Sequence, residues 1–536
     1  MPQQVQDLEE KWGVFWCKNC EIPILAETCP LCNKKAKHIS GDRRPVSPTE
    51  RHMLEHLLQQ PLPTFLFARH NIFYFGEGAL LRLTLKDGRL GVAQDWLHKL
   101  NDISPDVFTE QYRLTQWNRC LSANANTIAN LEQEAINFVE KAAGSYPDRA
   151  RFVSFSGGKD SALVAVLVNK ALGPTPLLFS DTTIEYPSTY AYITKFTEYL
   201  GVKVFWQKPQ QSFLALCEVL DPPSRIMRWC CTVCKSQPIN TFYNTLDCQV
   251  LNFDGIRRSE SSRRAQYPRV YQVPKYAREV TARPILNWPT FAVWAYIQAN
   301  GLPSNALYDL GFSRVGCMYC PSNDGYNEYL TRLYFPDSYS KWNQYLLDWA
   351  VREGKPDPEN YVKCGYWKAR NVRRGKIYVV ERTESCVTKR EYSYEFSRPL
   401  TEDVVEFLRP FGKIRMFAIN GKTCFTVGNQ NPFLISGIIG DTEISISFAV
   451  QGKDEELIKR RVERQIEKYL NCVGCGGCLG VCPVGAISIT QRRFAINDGK
   501  CTRCGKCTTR TYIERGCVAI GYRGSQRAIK RIGDKE

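Results

Sequence analysis

No run of 18 uninterrupted apolar residues occurs in the chain, which excludes an ordinary transmembrane helix, and the opening "MPQQVQDLEEKW" lacks the apolar core of a secretory signal. There is no long internal repeat and no low-complexity linker. Acidic residues are in deficit: 54 Asp plus Glu face 71 Lys plus Arg, a formal charge of +17. These absences predict a soluble, cytoplasmic protein with no membrane partner. The basic excess favours a polyanion, held through phosphate contacts and counterion release; the alternative is a merely basic soluble protein. What is present is 536 residues, enough for three to five folding units, and 23 cysteines gathered in tight C-x2-C groups. Without an export signal, that pattern means metal in a reducing compartment rather than disulfides.

Residues 1–40 carry "CKNC" and "CPLC" and have too little apolar sequence to fold without a staple. Cys17, Cys20, Cys29 and Cys32 have the knuckle spacing of a zinc ribbon, a closed four-ligand Zn2+ site, although thiolate spacing also admits a rubredoxin-like iron. Residues 41–118 alternate, as in "TFLFARHNIFYFGEGALLRLTLKDGRL", with Gly76, Gly78 and Asp87-Gly88 as turns, and predict a β-rich accessory module faintly similar to RNA-binding PUA domains. In 119–335 a helical stretch at about 120–145 precedes apolar strands ("RFVSFS", "TPLLFSD", "KVFW") that alternate with helical patterns ("DSALVAVLVNKAL", "TYAYITKFTEYL"). That rhythm predicts an α/β fold: a parallel sheet covered on both faces, with ligand at the carboxyl ends of its strands. Residues 336–465 read as a separate α+β module, and 466–536 hold eight cysteines and a basic tail, "YRGSQRAIKRIGDKE".

Ser156-Gly157-Gly158-Lys159-Asp160-Ser161 joins a strand to a helix and has the parts of an anion cradle: glycines admit close approach, and helix-start N–H groups face a phosphate. The Walker spacing is absent. "SGGKDS" resembles the pyrophosphate loop of the N-type ATP pyrophosphatases and of the related phosphoadenylylsulfate (PAPS) reductase family. "DTTIEYPSTY", "GIRRSESSRR" and "RPILNWPTFAVWAYIQANGLPSNALYDLGFSRVGCMYCP" resemble further segments of that family in order and spacing, over about 190 residues. The resemblance implies an adenine-nucleotide alpha-hydrolase-like core in which Ser156, Gly157, Gly158, Ser161, Asp181, Gly255 and Arg264 bind ATP. Lys159, Asp160, Arg257 and Arg258 would act on the phosphates, with Asp160 and Asp181 holding Mg2+ unless Asp160 simply caps its helix.

"RWCCTVCKSQP" and "GCMYCP" supply Cys230, Cys231, Cys317 and Cys320, similar to the 4Fe-4S ligand set of adenylylsulfate-type reductases. In those enzymes the pair is followed by x-x-Arg-Lys-x-x-Pro; here Lys235 and Pro238 match and Cys234 replaces the Arg. The fifth thiol leaves the ligand choice open, and zinc is the alternative metal. The reductases' Glu-Cys-Gly-Leu/Ile-His motif is absent, Cys364 in "KCGYW" being its nearest imitation. "CVGCGGCLGVCPVGAISI" is the bacterial ferredoxin run, followed by "CTRCGKCTTRTYIERGC". The exchange of fourth ligands in two-cluster ferredoxins pairs Cys472, Cys475, Cys478 and Cys517 around one 4Fe-4S cluster and Cys501, Cys504, Cys507 and Cys482 around the other. The second run departs from the pattern, with nine residues before Cys517 and no Pro after it.

Together these features resemble the ATP pyrophosphatase component of bacterial DNA phosphorothioation, the Dnd and Ssp systems. That resemblance implies adenylation of nucleic acid, DNA before RNA, with pyrophosphate release, sulfur from a cysteine desulfurase, and other phosphorothioation proteins as partners. RNA thiolation, a PAPS or adenylylsulfate reductase with a built-in ferredoxin, and a nonenzymatic module are the alternatives. Of the remaining cysteines (120, 217, 234, 248, 364, 386 and 424), Cys234 is favoured as a persulfide carrier.

Overall fold

The computed structural model describes residues 13–86, 89–92, 104–272, 276, 278–369, 380–384, 391–396, 398–428, 432–449, 454–508 and 517–518. The Asp87-Gly88 turn, Cys386 and the basic tail lie outside these residues.

The apolar strand Ala150–Phe155 lies inside a six-stranded sheet. The order across it is Val204–Gln207, Leu177–Ser180, Ala150–Phe155, Val250–Phe253, Glu279–Ala282 and Val270–Tyr271. Every pairing is parallel except the last, an antiparallel edge. One face is covered by helices Lys159–Leu172, Pro187–Leu200 and Thr290–Ala299, through residues such as Leu163, Leu167, Phe196 and Phe291. The other is covered by Gln237–Asn244, whose Ile239 and Tyr243 meet Phe152, Leu178 and Val250. The chain leaves Ala150–Phe155 with a neighbour on each side reached by opposite crossovers, so its carboxyl end is the switch point where ligands of such sheets bind. The turn at 156–161 occupies that point. The helix expected over 120–145 extends over Glu110–Ser145.

Four further sheets occur among the described residues, one of them the hairpin Ile487–Thr490 with Arg493–Ile496. Val14–Cys17 pairs with Ile22–Ile24 and Lys37–Ile39. Arg44–Pro45, Phe67–Arg69, Ile72–Phe75, Gly78–Lys86 and Arg89–Val92 form an antiparallel sheet in chain order. Arg44 ties it to the core, because its guanidinium meets Glu50 at 2.7 Å and donates to the Gly311 carbonyl at 2.9 Å while Glu50 accepts from Tyr326. A six-stranded antiparallel sheet spans residues 380–448, and helix Glu455–Asn471 shares its core through Val462 and Ile466. Leu479, Ile487 and Phe494 of the following hairpin region extend that same core.

Helices Pro336–Arg352 and Pro358–Lys363, which composition groups with the α+β module, pack elsewhere. Their Trp342, Trp349 and Val362 bury against Phe213, Trp229 and Cys234 of the nucleotide-type core. Stacking explains the choice: Tyr319 lies 5.0 Å from Trp342, nearly parallel, and Phe213 stacks on Trp229. Among the described residues no helix is long and apolar enough to cross a membrane.

Candidate functional site

The turn is built by close approach. Gly157 has φ +72°, and a Cβ there would sit 2.9 Å from Thr189 Cγ2. At Gly255 a Cβ would meet the Asp160 carbonyl carbon at 2.9 Å, so the strand-end loop lies directly on the helix start. The Lys159 amide donates to Tyr308 Oη at 3.0 Å, and the Ser161 hydroxyl donates to the Gly158 carbonyl at 2.9 Å. Gly158 caps the 14-residue helix without a side-chain hydrogen bond, so the first-turn amides after Lys159 are not taken by a cap side chain.

A cavity of about 390 Å³ opens here. Ser156, Gly158, Asp160, Ser161, Gly255 and Arg264 line it together with Cys230, Cys231, Cys317 and Cys320, and Lys235 and Arg314 are among the lining residues. Gly157 supports the turn from behind and does not line the cavity.

Several expected phosphate ligands do other work. Arg257 is 3% exposed and its Nε donates to Asp160 Oδ1 at 2.7 Å; Lys159 Nζ meets Asp160 Oδ2 at 2.8 Å. Burial raises the Asp160 carboxyl pKa, but Arg257 and Lys159 outweigh it and hold the group below its ordinary value. Neither cation lines the cavity, and neither does Arg258, whose amide donates to the Leu286 carbonyl. Asp181 is buried and also off the cavity wall: Tyr190 Oη and the Thr183 amide donate to its Oδ1 at 2.7 and 2.8 Å, and Lys208 lies 3.1 Å from Oδ2. Both carboxylates are thus committed to protein donors. Asp160 is held by two buried cations, whereas Asp181 Oδ2 meets only the exposed Lys208.

The double cysteine opens a six-residue π-helical turn, Cys231–Ser236, in which the Ser236 hydroxyl donates to the Cys231 carbonyl. Such turns recur at functional sites. Lys235 faces Cys317, Glu185 and Cys231, and Thr182 donates to Glu185 at 2.7 Å. Arg314 Nη2 is 3.9 Å from Cys320 Sγ. Four half-buried thiols facing one cavity, with two cations to offset their charge, fit a thiolate-ligated cluster. Cys234 has no exposed surface and does not reach the cavity; burial raises its thiol pKa, so the persulfide expected there has no access.

The sulfurs of Cys17, Cys20, Cys29 and Cys32 lie within 4.8 Å of one another, with contacts of 3.5 and 3.9 Å. A tetrahedral ion with ~2.3 Å bonds to sulfur separates its ligands by roughly 3.8 Å, so the quartet fits a single Zn2+. Among the described residues no other group of three or more ligand atoms is this tight, and a cubane holds its thiolates farther apart. In the C-terminal region Cys517 neighbours Cys472 and Cys475, while Cys482 neighbours Cys507 together with Cys501 and Cys504. The fourth cysteine of each run therefore faces the other run's triplet, an arrangement that fits two 4Fe-4S clusters.

These thiols abut the nucleotide-type core. Cys475, Val473 and Val518 share a cluster with Val233, Cys234, Cys230 and Cys317. A Cβ on Gly477 would lie 3.4 Å from Val233, and one on Gly480 would lie 2.7 Å from Asn240 Cβ. Asn244 donates to the Cys482 carbonyl at 2.7 Å, and Gln211 donates to the Gly474 carbonyl at 2.9 Å. Lys235 matches the Arg-Lys-x-x-Pro pattern in the sequence, whereas Arg314 is flagged only by the quoted segment around Cys317 and the interface carries no sequence signature of its own.

Residues 150–323 match the phosphoadenosine phosphosulfate reductase domain, and residues 465–510 match a 4Fe-4S dicluster domain. An uncharacterised protein of Methanocaldococcus jannaschii is 31% identical over 261 residues, 47% of this chain and 52% of that protein. The chain spans little more than half the length of this relative and of a second from the same organism, at 52% and 59%. An adenosine 5'-phosphosulfate reductase of Bacillus mycoides is 24% identical over 38% of this chain and 88% of its own length. The phosphoadenylyl-sulfate reductase structure from Candida auris, in phosphate complex, aligns at 20% identity over 36% of this chain and 95% of its own, with a TM-score of 0.29. The chain thus carries a phosphoadenosine phosphosulfate reductase domain followed by a 4Fe-4S dicluster domain.

Proposed function

We propose that this protein is a sulfonucleotide reductase with its own electron supply, cleaving an adenylyl sulfate to AMP and sulfite. One observation carries the reading: the glycine turn and the four core cysteines face a single cavity, and the dicluster region packs against the same cysteine turn. The turn's amides bind the nucleotide phosphate, and Arg264 and Arg314 offset the sulfate charge. Asp160 holds Arg257 and Lys159 behind the turn and so fixes the turn's shape. In the reaction the S–O bond breaks, AMP keeps the bridging oxygen, and sulfur leaves as sulfite with two electrons. Cys472, Cys475, Cys478 and Cys517, and Cys482, Cys501, Cys504 and Cys507, would hold the iron–sulfur clusters that supply those electrons singly. Cys17, Cys20, Cys29 and Cys32 would hold structural Zn2+.

A second reading is favoured by the charge of +17 and the missing reductase motif. Here ATP occupies the cavity, a nucleic-acid oxygen attacks the α-phosphorus, pyrophosphate leaves, and sulfur from a cysteine desulfurase displaces AMP. DNA phosphorothioation is the leading case and RNA thiolation the next.

Anaerobic turnover decides between them. Reduced protein given adenylyl sulfate or its 3'-phosphorylated form releases sulfite under the first reading. Pyrophosphate release from ATP without sulfite, together with loss of phosphorothioate dinucleotides or thiolated bases in cells lacking the gene, would replace it with the second.

A further inference from the structure

Helix Glu455–Asn471 places Gln465 and Lys468, seven and four residues before Cys472, on the face that leads to it. Gln465 Nε2 reaches Cys507 Sγ at 3.9 Å, so this face looks toward one cysteine set while ending in a member of the other. Lys468 sits between them and is 3% exposed. Its Nζ lies 4.5 Å from the centre of the Phe494 ring. Among the described residues no carboxylate is within ion-pair distance of it, unlike Lys459 one face away, which meets Glu455 at 3.0 Å. The cysteines that surround Lys468 are Cys472, Cys478 and Cys517 of the first set and Cys507 of the second.

A buried ammonium without a counter-charge is strongly destabilising, so a fold that keeps one places anions around it. The only candidates among its described neighbours are the thiolates of the two sets. We propose that Lys468 is the shared counter-ion of both 4Fe-4S clusters, a positioning residue that raises both reduction potentials and favours assembly of both clusters. An electron added to either cluster arrives close to a fixed positive charge in a low-dielectric interior, and that attraction stabilises the reduced form. The proposal rests on the dicluster match and is independent of which substrate the cavity takes.

The test is potentiometric titration of the anaerobically purified full-length holoprotein, followed by electron paramagnetic resonance. The variants are Lys468→Met, which removes the charge at similar volume, and Lys468→Arg, which keeps it. Both cluster potentials are expected to fall in the Met variant and to stay close to wild type in the Arg variant. A Met variant in which neither potential moves, or only one, overturns the shared role, as does an Arg variant that shifts as far as Met. Iron and sulfide content gives a second readout where assembly suffers. Loss in Met with retention in Arg supports a charge requirement; equal loss in both overturns it.

Discussion

Gly480→Ala tests whether the dicluster region works through its contact with the cysteine turn. A Cβ at this position would lie 2.7 Å from Asn240 Cβ and 2.9 Å from the Gln237 carbonyl oxygen. The first distance is about 0.8 Å inside the ~3.5 Å carbon–carbon optimum, so a gap must open between the two surfaces. The neighbours are backbone and the root of a side chain, neither of which can swing aside. Overpacking of this kind costs about 1–3 kcal/mol. Urea unfolding of the holoprotein should show a loss of that size, with both clusters still present, since Gly480 ligates nothing. Under the proposed reductase reading, sulfite release driven by electrons entering through the dicluster should slow, whereas release driven by a small thiol reductant acting at the cavity should be retained. Unchanged stability together with unchanged dicluster-driven turnover would refute the claim that this interface is close-packed and conducting.

Asp160→Asn strands two buried cations, Arg257 and Lys159, and is expected to cost about 3–5 kcal/mol in urea unfolding. Because the folded-state pKa of Asp160 is depressed, its contribution is complete above the unfolded value of ~3.9 and fades as pH falls through the folded one. The stability gap between wild type and variant should therefore close under strong acid, and a gap that persists there contradicts the ion-pair account. Gly157→Ala forces a side chain into φ +72° and against Thr189, for a loss of at least about 1–2 kcal/mol and weaker nucleotide binding by calorimetry. Cys29→Ser should remove one zinc per chain by metal analysis and expose the Val14–Cys17 region to protease while leaving iron content intact; retained zinc would argue against the quartet.

Local pattern made much of this molecule readable. The strand–glycine–helix text around Ser156 fixes a tight turn at a parallel sheet's switch point, and the two C-terminal cysteine runs lie beside each other as their crossed pairing requires. What was unreadable depends on meetings between distant segments. Asp160 looks like a ligand for metal or phosphate until Arg257, 97 positions away, is seen to occupy it. Arg258 has the same sequence environment as Arg257, yet its amide goes to Leu286 and its side chain leaves the cavity wall. Cys234 stands among reactive cysteines in the text but faces inward. Helix Pro336–Arg352 has the composition of a surface helix, and only its aromatic residues, matched to Phe213 and Tyr319, decide where it docks.

The π-helical turn at Cys231–Ser236 has a hereditary consequence. A π turn closes its hydrogen bond one residue later than the α-helical turn it interrupts, so it accommodates one residue more. Dropping one residue from it would let the chain run into Gln237–Asn244 as a regular helix, at a gain in backbone regularity, while turning the Cys230–Cys231 pair by about 100° away from Cys317 and Cys320. Helical regularity and thiol chemistry therefore pull this segment in opposite directions. A descendant that no longer used the core cysteines would be released to lose that residue, and the length of this one turn would record whether the chemistry was kept.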